Sequence, residues 1–229
     1  MHIPDGFIDA STSLGAGVTA AGGLAAATKK ASRELGEDGV PLAGLVAAFI
    51  FAAQMINFPV AAGTSGHLIG GALATILVGP WVGTLCLAVV LLVQVLFADG
   101  GVTALGLNVV NMALLGGMGG FLLFKAARVV LPASRAGVLS AAAVASLGSV
   151  VLAAMGFTVE YALGGSGAVP IATLARAVLG VHLLIGIGEA LITVAALSAV
   201  FSARPDIVYG VRDLPAYVAS GRQATEQAA

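Results

Sequence analysis

His2 stands second in the chain, and that position offers a chemistry no internal histidine has. With a free terminus, the α-amine of Met1, the amide nitrogen joining residues 1 and 2, and Nδ1 of His2 can all reach one metal ion. They close a five-membered and a six-membered chelate ring. The three nitrogens lie in one plane and leave a fourth equatorial position open. Planar nitrogen coordination suits Ni(II), Cu(II) and low-spin Co(II), and disfavours Mg, Ca and tetrahedral Zn. The amide must lose its proton to bind, so affinity is expected to fall with pH.

The fourth nitrogen needs a donor from the same side. The chain has three histidines, and His67 follows Gly63-Thr64-Ser65-Gly66 in a predicted loop on the side of Met1. The two glycines would let that loop fold inward, where irregular backbone is tolerated if it lines a buried site. The plainer account keeps His67 as a loop residue and His2 as a chance of composition. Polar residues that lipid would not accept alone gather at the same ends of the predicted spans: Gln54, Asn57, Gln94, Asp99, Asn108 and Asn111. Asn108 and Asn111 are three apart and are expected to share a helix face. With Asp5, Thr64 and Ser65 they are candidates to orient the imidazoles and loops from behind. The competing account is ordinary hydrogen bonding between helices. His182 and Glu189 lie seven residues apart in the last apolar segment, on one face and roughly 10 Å apart along the axis. They read either as a proton relay or inward release station, or as a hydrogen-bonded structural pair.

The elements that position these residues follow from composition. The chain is 59% hydrophobic and 9% charged, with a mean hydropathy of +1.05. A soluble domain carries roughly 25% charged residues, so the bilayer is the solvent that fits. Apolar segments near 12–28, 41–58, 67–80, 82–98, 105–124, 136–158 and 171–201 predict an all-α polytopic membrane bundle of about seven helices. The third is short and is expected to be tilted, broken or preceded by a re-entrant loop. Lys29, Lys30 and Arg33 follow the first span, Lys125, Arg128 and Arg135 the fifth, and Arg204, Arg212 and Arg222 the seventh. Only Arg176 falls on the other side. Basic residues face the cytosol, which puts the N-terminus outside, the C-terminus in the cytosol and an odd number of spans between them. Residues 1–203 read as the transmembrane domain and 204–229 as a polar cytosolic tail. The opening Met-His-Ile-Pro-Asp-Gly has no basic leader before an apolar stretch, so the N-terminus is expected to be retained. The lone Cys86 excludes a disulfide framework and a thiolate cluster. The 32 glycines serve close helix packing, and none sits in a phosphate-cradling motif. No bound nucleotide is expected, and any ATP hydrolysis falls to partner chains.

At these residues the sequence resembles the CbiM/NikM family, the substrate-binding S components of energy-coupling factor importers for cobalt and nickel. The matching stretches are Met1-His-Ile-Pro-Asp-Gly-Phe7, Gln54-Met-Ile-Asn-Phe-Pro-Val60 and Gly63-Thr-Ser-Gly-His-Leu68, followed by Asp99-Gly-Gly-Val-Thr-Ala-Leu-Gly-Leu-Asn-Val-Val-Asn-Met112, His182-Leu-Leu-Ile-Gly-Ile-Gly-Glu-Ala-Leu-Ile-Thr193 and Arg204-Pro-Asp-Ile-Val-Tyr-Gly210. The resemblance implies a seven-helix fold, an extracellular N-terminus inserted into the bundle, and Co(II) or Ni(II) held by Met1, His2 and His67. It also implies the cell membrane of a prokaryote, cobalt uptake of the kind cobalamin synthesis draws on, and partners. These are a transmembrane coupling (T) subunit, cytosolic ABC-type ATPases and a small accessory membrane subunit, with no nucleic acid.

Two rivals come from other classes. A stand-alone secondary transporter or channel would use His182 and Glu189 for proton coupling. An intramembrane metalloenzyme would need three ligands, an open water position and a general base, and neither that set nor His-Glu-x-x-His is present. A transport subunit and not an enzyme is therefore expected. A structural or sensor role explains the terminus poorly.

Overall fold

Lipid offers a bare backbone no hydrogen-bond partners, so a chain this apolar must satisfy its peptide groups internally, and helices do so within one segment. The computed structural model describes residues 2–36, 39–59 and 65–214. Helix α1 (Ala10–Glu34) starts at Asp9, whose carboxylate accepts the Thr12 N–H at 2.7 Å. Helix α2 (Gly39–Gln54) leads into a small antiparallel hairpin, β1 (Asn57–Pro59) and β2 (Ser65–His67), with Asn57 opposite His67. Helix α3 (Gly71–Val78) and α4 (Pro80–Leu96) follow, the latter opening on a proline whose missing N–H costs nothing there. A continuous rod, Leu105–Val130, comprises α5 (Leu105–Asn108), a π-helical stretch Val109–Gly119 and α6 (Gly120–Val130). Then come α7 (Arg135–Gly164) and α8 (Ile171–Ala203), which pack along each other.

The rod Leu105–Val130, α7 and α8 are each long and apolar enough to cross a membrane, with mean hydropathies of 1.7, 2.1 and 2.1. Large apolar side chains such as Leu14, Leu45, Leu92, Val129 and Leu184 face outward. In water such a coat would drive aggregation, whereas in lipid it is the solvated surface. The protein is a helical membrane protein.

In the third apolar segment, predicted near 67–80, the helix is shorter than the apolar run. Helix α3 has eight residues, all buried. At 1.5 Å per residue it reaches about 12 Å, far less than the roughly 30 Å of a hydrocarbon core. The β1–β2 hairpin precedes it in the chain, with Ser65–His67 paired to Asn57–Pro59. Gly70 adopts φ +71°, and a side chain there would strike Ile50, so the turn from hairpin to α3 requires glycine.

At the opposite end, the first part of the polar tail is folded. Two short 3-10 turns, Pro205–Ile207 and Tyr209–Val211, bury Val208 and Val211 completely. Arg128 of α6 donates to the Gly210 carbonyl at 2.6 Å and to Asp213 at 2.9 Å. Residues 204–214 therefore cap the bundle, and 215–229 lie outside the described residues.

Helix α3 meets the π stretch backbone to backbone. A Cβ on Gly71 would sit 2.6 Å from the Gly116 carbonyl group, with no flexible side chain to yield. Gly71→Ala is expected to lower stability by about 1–3 kcal/mol through overpacking. Gly22→Ala, whose Cβ meets nothing within 4 Å, should not. Thermal unfolding in detergent compares the two.

Candidate metal centre

Residues 2–9 form a strap that enters the bundle instead of trailing from it. Ile3 donates its N–H to Asn108 Oδ1 at 2.8 Å, and its carbonyl accepts from Gly101 at 2.9 Å. The Asp5 carboxylate takes the N–H groups of Thr103 at 2.7 Å and Val102 at 3.2 Å, together with the Thr103 hydroxyl. Further along, Ser166 donates to the Phe7 carbonyl at 3.1 Å and Asp9 donates to that of Gly164 at 2.6 Å. Ile3 and Ile8 are buried, and the Phe7 ring lies against Phe157 and Tyr161. Gly100, at φ +108°, lets the Asp99–Gly101 turn pass close over the His2 ring, where a Cβ would come within 3.3 Å of it. His2 is thus carried inside, only 6% exposed.

A chain of oriented amides then decides which nitrogen of His2 is free. The Ile69 carbonyl can only accept, and it takes the Gln54 Nε2–H at 2.6 Å. That turns Gln54 Oε1 toward Gln94, whose Nε2 donates to it at 2.9 Å. Gln94 Oε1 therefore faces His2 Nε2, 2.9 Å away, and must accept a proton from it. In the neutral ring the lone pair is left on Nδ1, the nitrogen that a terminal chelate needs. That Nδ1 has no hydrogen-bond partner among the described residues. It lies 3.2 Å from Asp99 Oδ1, a contact that becomes an ion pair when the ring is protonated.

His67 is fixed in the opposite sense. Its Nδ1 lies 2.6 Å from the Leu68 carbonyl and must donate to it, which leaves the lone pair on Nε2. The ring is fully buried, and Nε2 has no partner among the described residues. The His2 and His67 rings stack with centroids 4.5 Å apart and planes 24° from parallel. Leaving a buried polar atom unsatisfied costs about 1–3 kcal/mol, and two such atoms on touching rings call for an explanation. A cation accepting both lone pairs supplies one.

Of the residues read from the sequence, the structure brings His2, His67, Gln54, Gln94, Asp99, Asn108 and Asp5 into one network. Met1 and Thr64, and the side chains of Asn57 and Ser65, lie outside the described residues. Asn108 and Asn111 do not share a face. The wider winding of the π stretch, which starts at Val109, turns Asn111 away to donate to Glu160 of α7 at 2.6 Å. Glu160 escaped the sequence reading because the predicted span stopped at 158, whereas α7 continues to Gly164. His182 and Glu189 are both buried and do not bond to each other: His182 Nδ1 donates to the Val178 carbonyl, and Glu189 accepts from Ile69 and Gly70.

A membrane bundle with an inserted terminal strap and a buried imidazole stacked on its His2 has the fold of transition metal transporters. A solved transition metal transporter matches with a TM-score of 0.81 at 28% identity, covering 89% of this chain and 94% of that one. A truncated transition metal transporter matches with a TM-score of 0.78 at 26% identity. The chain belongs to the CbiM family, whose profile, described as the cobalt uptake substrate-specific transmembrane region, matches residues 2–207. Among its relatives, a protein of Haloquadratum walsbyi named for metal transport is 39% identical over 91% of this chain and 94% of its own length. One of Archaeoglobus fulgidus named as a fused nickel transport protein is 40% identical over 91% of this chain and 68% of its own length. The cobalt transport protein CbiM of Sorangium cellulosum is 36% identical over 73% of this chain and 76% of its own length.

The Asp5 tether has a pH signature. The Thr103 hydroxyl, then the Thr103 N–H, hold its carboxyl below the ordinary value of 3.8. A depressed folded value means the tether contributes fully above 3.8 and is lost as pH falls through the lower folded value. Hydrogen exchange, corrected for its intrinsic pH dependence, should find the amides of residues 2–8 protected down to that range. Asp5→Ala should expose them at neutral pH.

Proposed function

We propose that this chain is the metal-capturing membrane subunit of an importer for a divalent transition metal, Co(II) or Ni(II). The observation that carries the reading is the pair of buried ring nitrogens without hydrogen-bond partners among the described residues, His2 Nδ1 beside Asp99 and His67 Nε2, on stacked rings fixed through their other nitrogens. The Met1 amine and the amide nitrogen joining residues 1 and 2 complete a four-nitrogen plane with them. The hydrated ion arrives from outside and exchanges water for nitrogen, and the strap of residues 2–9 closes over it. Gln54, Gln94 and Asn108 hold the rings and strap in place, and Asp99 offsets part of the ion's charge. Such a plane favours Ni(II) over Co(II) on intrinsic affinity, so selection for cobalt would rest on rigidity and supply. Relatives carry names of both kinds, nickel in one and cobalt in another.

The bundle crosses the membrane seven times, with the hairpin and α3 acting together as the third crossing. The N-terminus faces out and the C-terminus faces the cytosol. In support, Lys29, Lys30, Arg33, Lys125, Arg128 and Arg135 all lie where α1, α6 and α7 reach the end opposite His2. Residues 1–203 are the transmembrane unit and 204–229 the cytosolic segment. Four-nitrogen chelation is too tight for unaided release, and the sequence carries no phosphate-binding loop of its own. The energy comes from cytosolic ATPases acting through a transmembrane coupling subunit, with a small accessory membrane subunit, in the cell membrane of a prokaryote.

Calorimetry with Ni(II) on protein bearing an untagged N-terminus tests the chelate. Inserting Ala after Met1 moves the imidazole out of its chelate ring and should abolish high-affinity binding. His67→Ala should leave a weaker three-nitrogen site, and wild-type affinity should fall with pH as the amide and imidazoles are protonated. Unchanged binding in both variants would overturn the reading.

A further inference from the structure

Glu189 of α8 is only 2% exposed, and a carboxylate inside a bundle is costly unless its oxygens are matched. Its two oxygens take two consecutive amides: Oε2 accepts from Ile69 at 2.7 Å and Oε1 from Gly70 at 3.0 Å. These are not the donors that a helix cap ordinarily serves. Gly70 is the N-cap residue of α3, and a capping side chain would take the N–H of Ala72 or Leu73. Glu189 grips instead the link that joins His67 to α3. Gly186, three residues earlier, seats α8 closely on α7, since a Cβ there would lie 3.3 Å from the Leu147 backbone. The carboxylate therefore projects from a braced helix.

Each of the two amides belongs to a peptide group whose carbonyl acts on the site. The Ile69 N–H shares a plane with the Leu68 carbonyl, and the Gly70 N–H shares one with the Ile69 carbonyl. Both peptides are trans, so N–H and carbonyl point in opposite directions. Holding the N–H therefore aims the carbonyl. The Leu68 carbonyl lies 2.6 Å from His67 Nδ1, and the Ile69 carbonyl starts the chain through Gln54 and Gln94 to His2 Nε2. One side chain thus stands behind both carbonyls. Serving two amides takes two acceptors. A glutamine in its place has one acceptor oxygen, and its NH2 would meet the second N–H donor to donor.

We propose that Glu189 is a positioning residue for both imidazoles: its carboxylate aims the Leu68 and Ile69 carbonyls, and these fix the nitrogens that His67 and His2 present to the cation. The proposal rests on the capture reading for the cation, and on hydrogen-bond geometry for the rings.

The test combines nitrogen NMR of metal-free, untagged protein labelled at histidine with Ni(II) calorimetry. In Glu189→Gln at least one of the two rings should lose its fixed proton position, and Ni(II) affinity should fall about 10- to 100-fold. Glu189→Asp keeps both acceptor oxygens on a shorter stem and should recover part of that affinity. Glu160→Gln alters another buried carboxylate, whose hydrogen bond goes to Asn111, and should leave rings and affinity as in wild type. Wild-type proton positions in folded Glu189→Gln, the same ring change in Glu160→Gln, or an Asp variant that binds no better than Gln would each overturn the positioning role. Should Glu189→Gln not fold, the wild-type protein decides. Couplings across the hydrogen bonds from the Ile69 and Gly70 amide nitrogens to the Glu189 carboxyl carbon are expected, and their absence would overturn the role. Rings that average in Glu189→Gln while Ni(II) affinity is unchanged there and in His67→Ala would overturn the capture reading instead.

Discussion

The Ile69 carbonyl sets the direction of every hydrogen bond that leads to His2. As an acceptor alone it orients Gln54, Gln54 orients Gln94, and Gln94 places a proton on His2 Nε2. In water these amides would rotate freely. Inside a low-dielectric bundle each is committed by its neighbour, because a reversed amide would set two like groups against each other. The Leu68 carbonyl acts on His67 in the same manner and selects the other tautomer. Two consecutive backbone carbonyls, both at the junction of hairpin and α3, therefore expose one lone pair from each ring.

That junction depends on structure that lipid would ordinarily forbid. A hairpin and an eight-residue helix stand in the third apolar segment, and every residue of that helix is buried. Glu189 accepts the N–H groups of Ile69 and Gly70, the two residues that lead into α3. Gln54 takes the adjacent carbonyl. The π stretch contributes from the other side. Its glycines admit α3 to backbone contact, and its winding turns Asn111 toward α7 while Asn108, just before it, faces the strap. The features that depart from regular helix are the ones that build the site.

Much of this was legible in the sequence. Apolar runs mark the helices because lipid imposes one simple rule on composition. His2 stands out because the proposed chelate depends on chain position, which sequence states directly, and His67 because the chain has only three histidines. The polar set of Gln54, Gln94, Asp99 and Asn108 could be picked out because each is costly in lipid without a partner. What stayed hidden was geometric. No residue pattern announces a π stretch, so Asn111 was grouped with Asn108. A span boundary drawn six residues early left Glu160 outside. The apparently free tail gave no sign that Val208 and Val211 would be buried beneath it. The roles of the two glutamines, as opposed to their presence, depend on a carbonyl no sequence motif encodes.

The account stands on His2 and His67 presenting opposite ring nitrogens, each fixed by the hydrogen bond of the other nitrogen. Nitrogen NMR of the metal-free protein, labelled at histidine and recorded with an untagged N-terminus near neutral pH, reads this directly. His2 should appear with its proton on Nε2 and His67 with its proton on Nδ1, and Gln94→Leu should release the first but not the second. Finding His2 protonated on Nδ1, or both rings averaging between tautomers, would contradict the account, because no preset lone pairs would then await the ion.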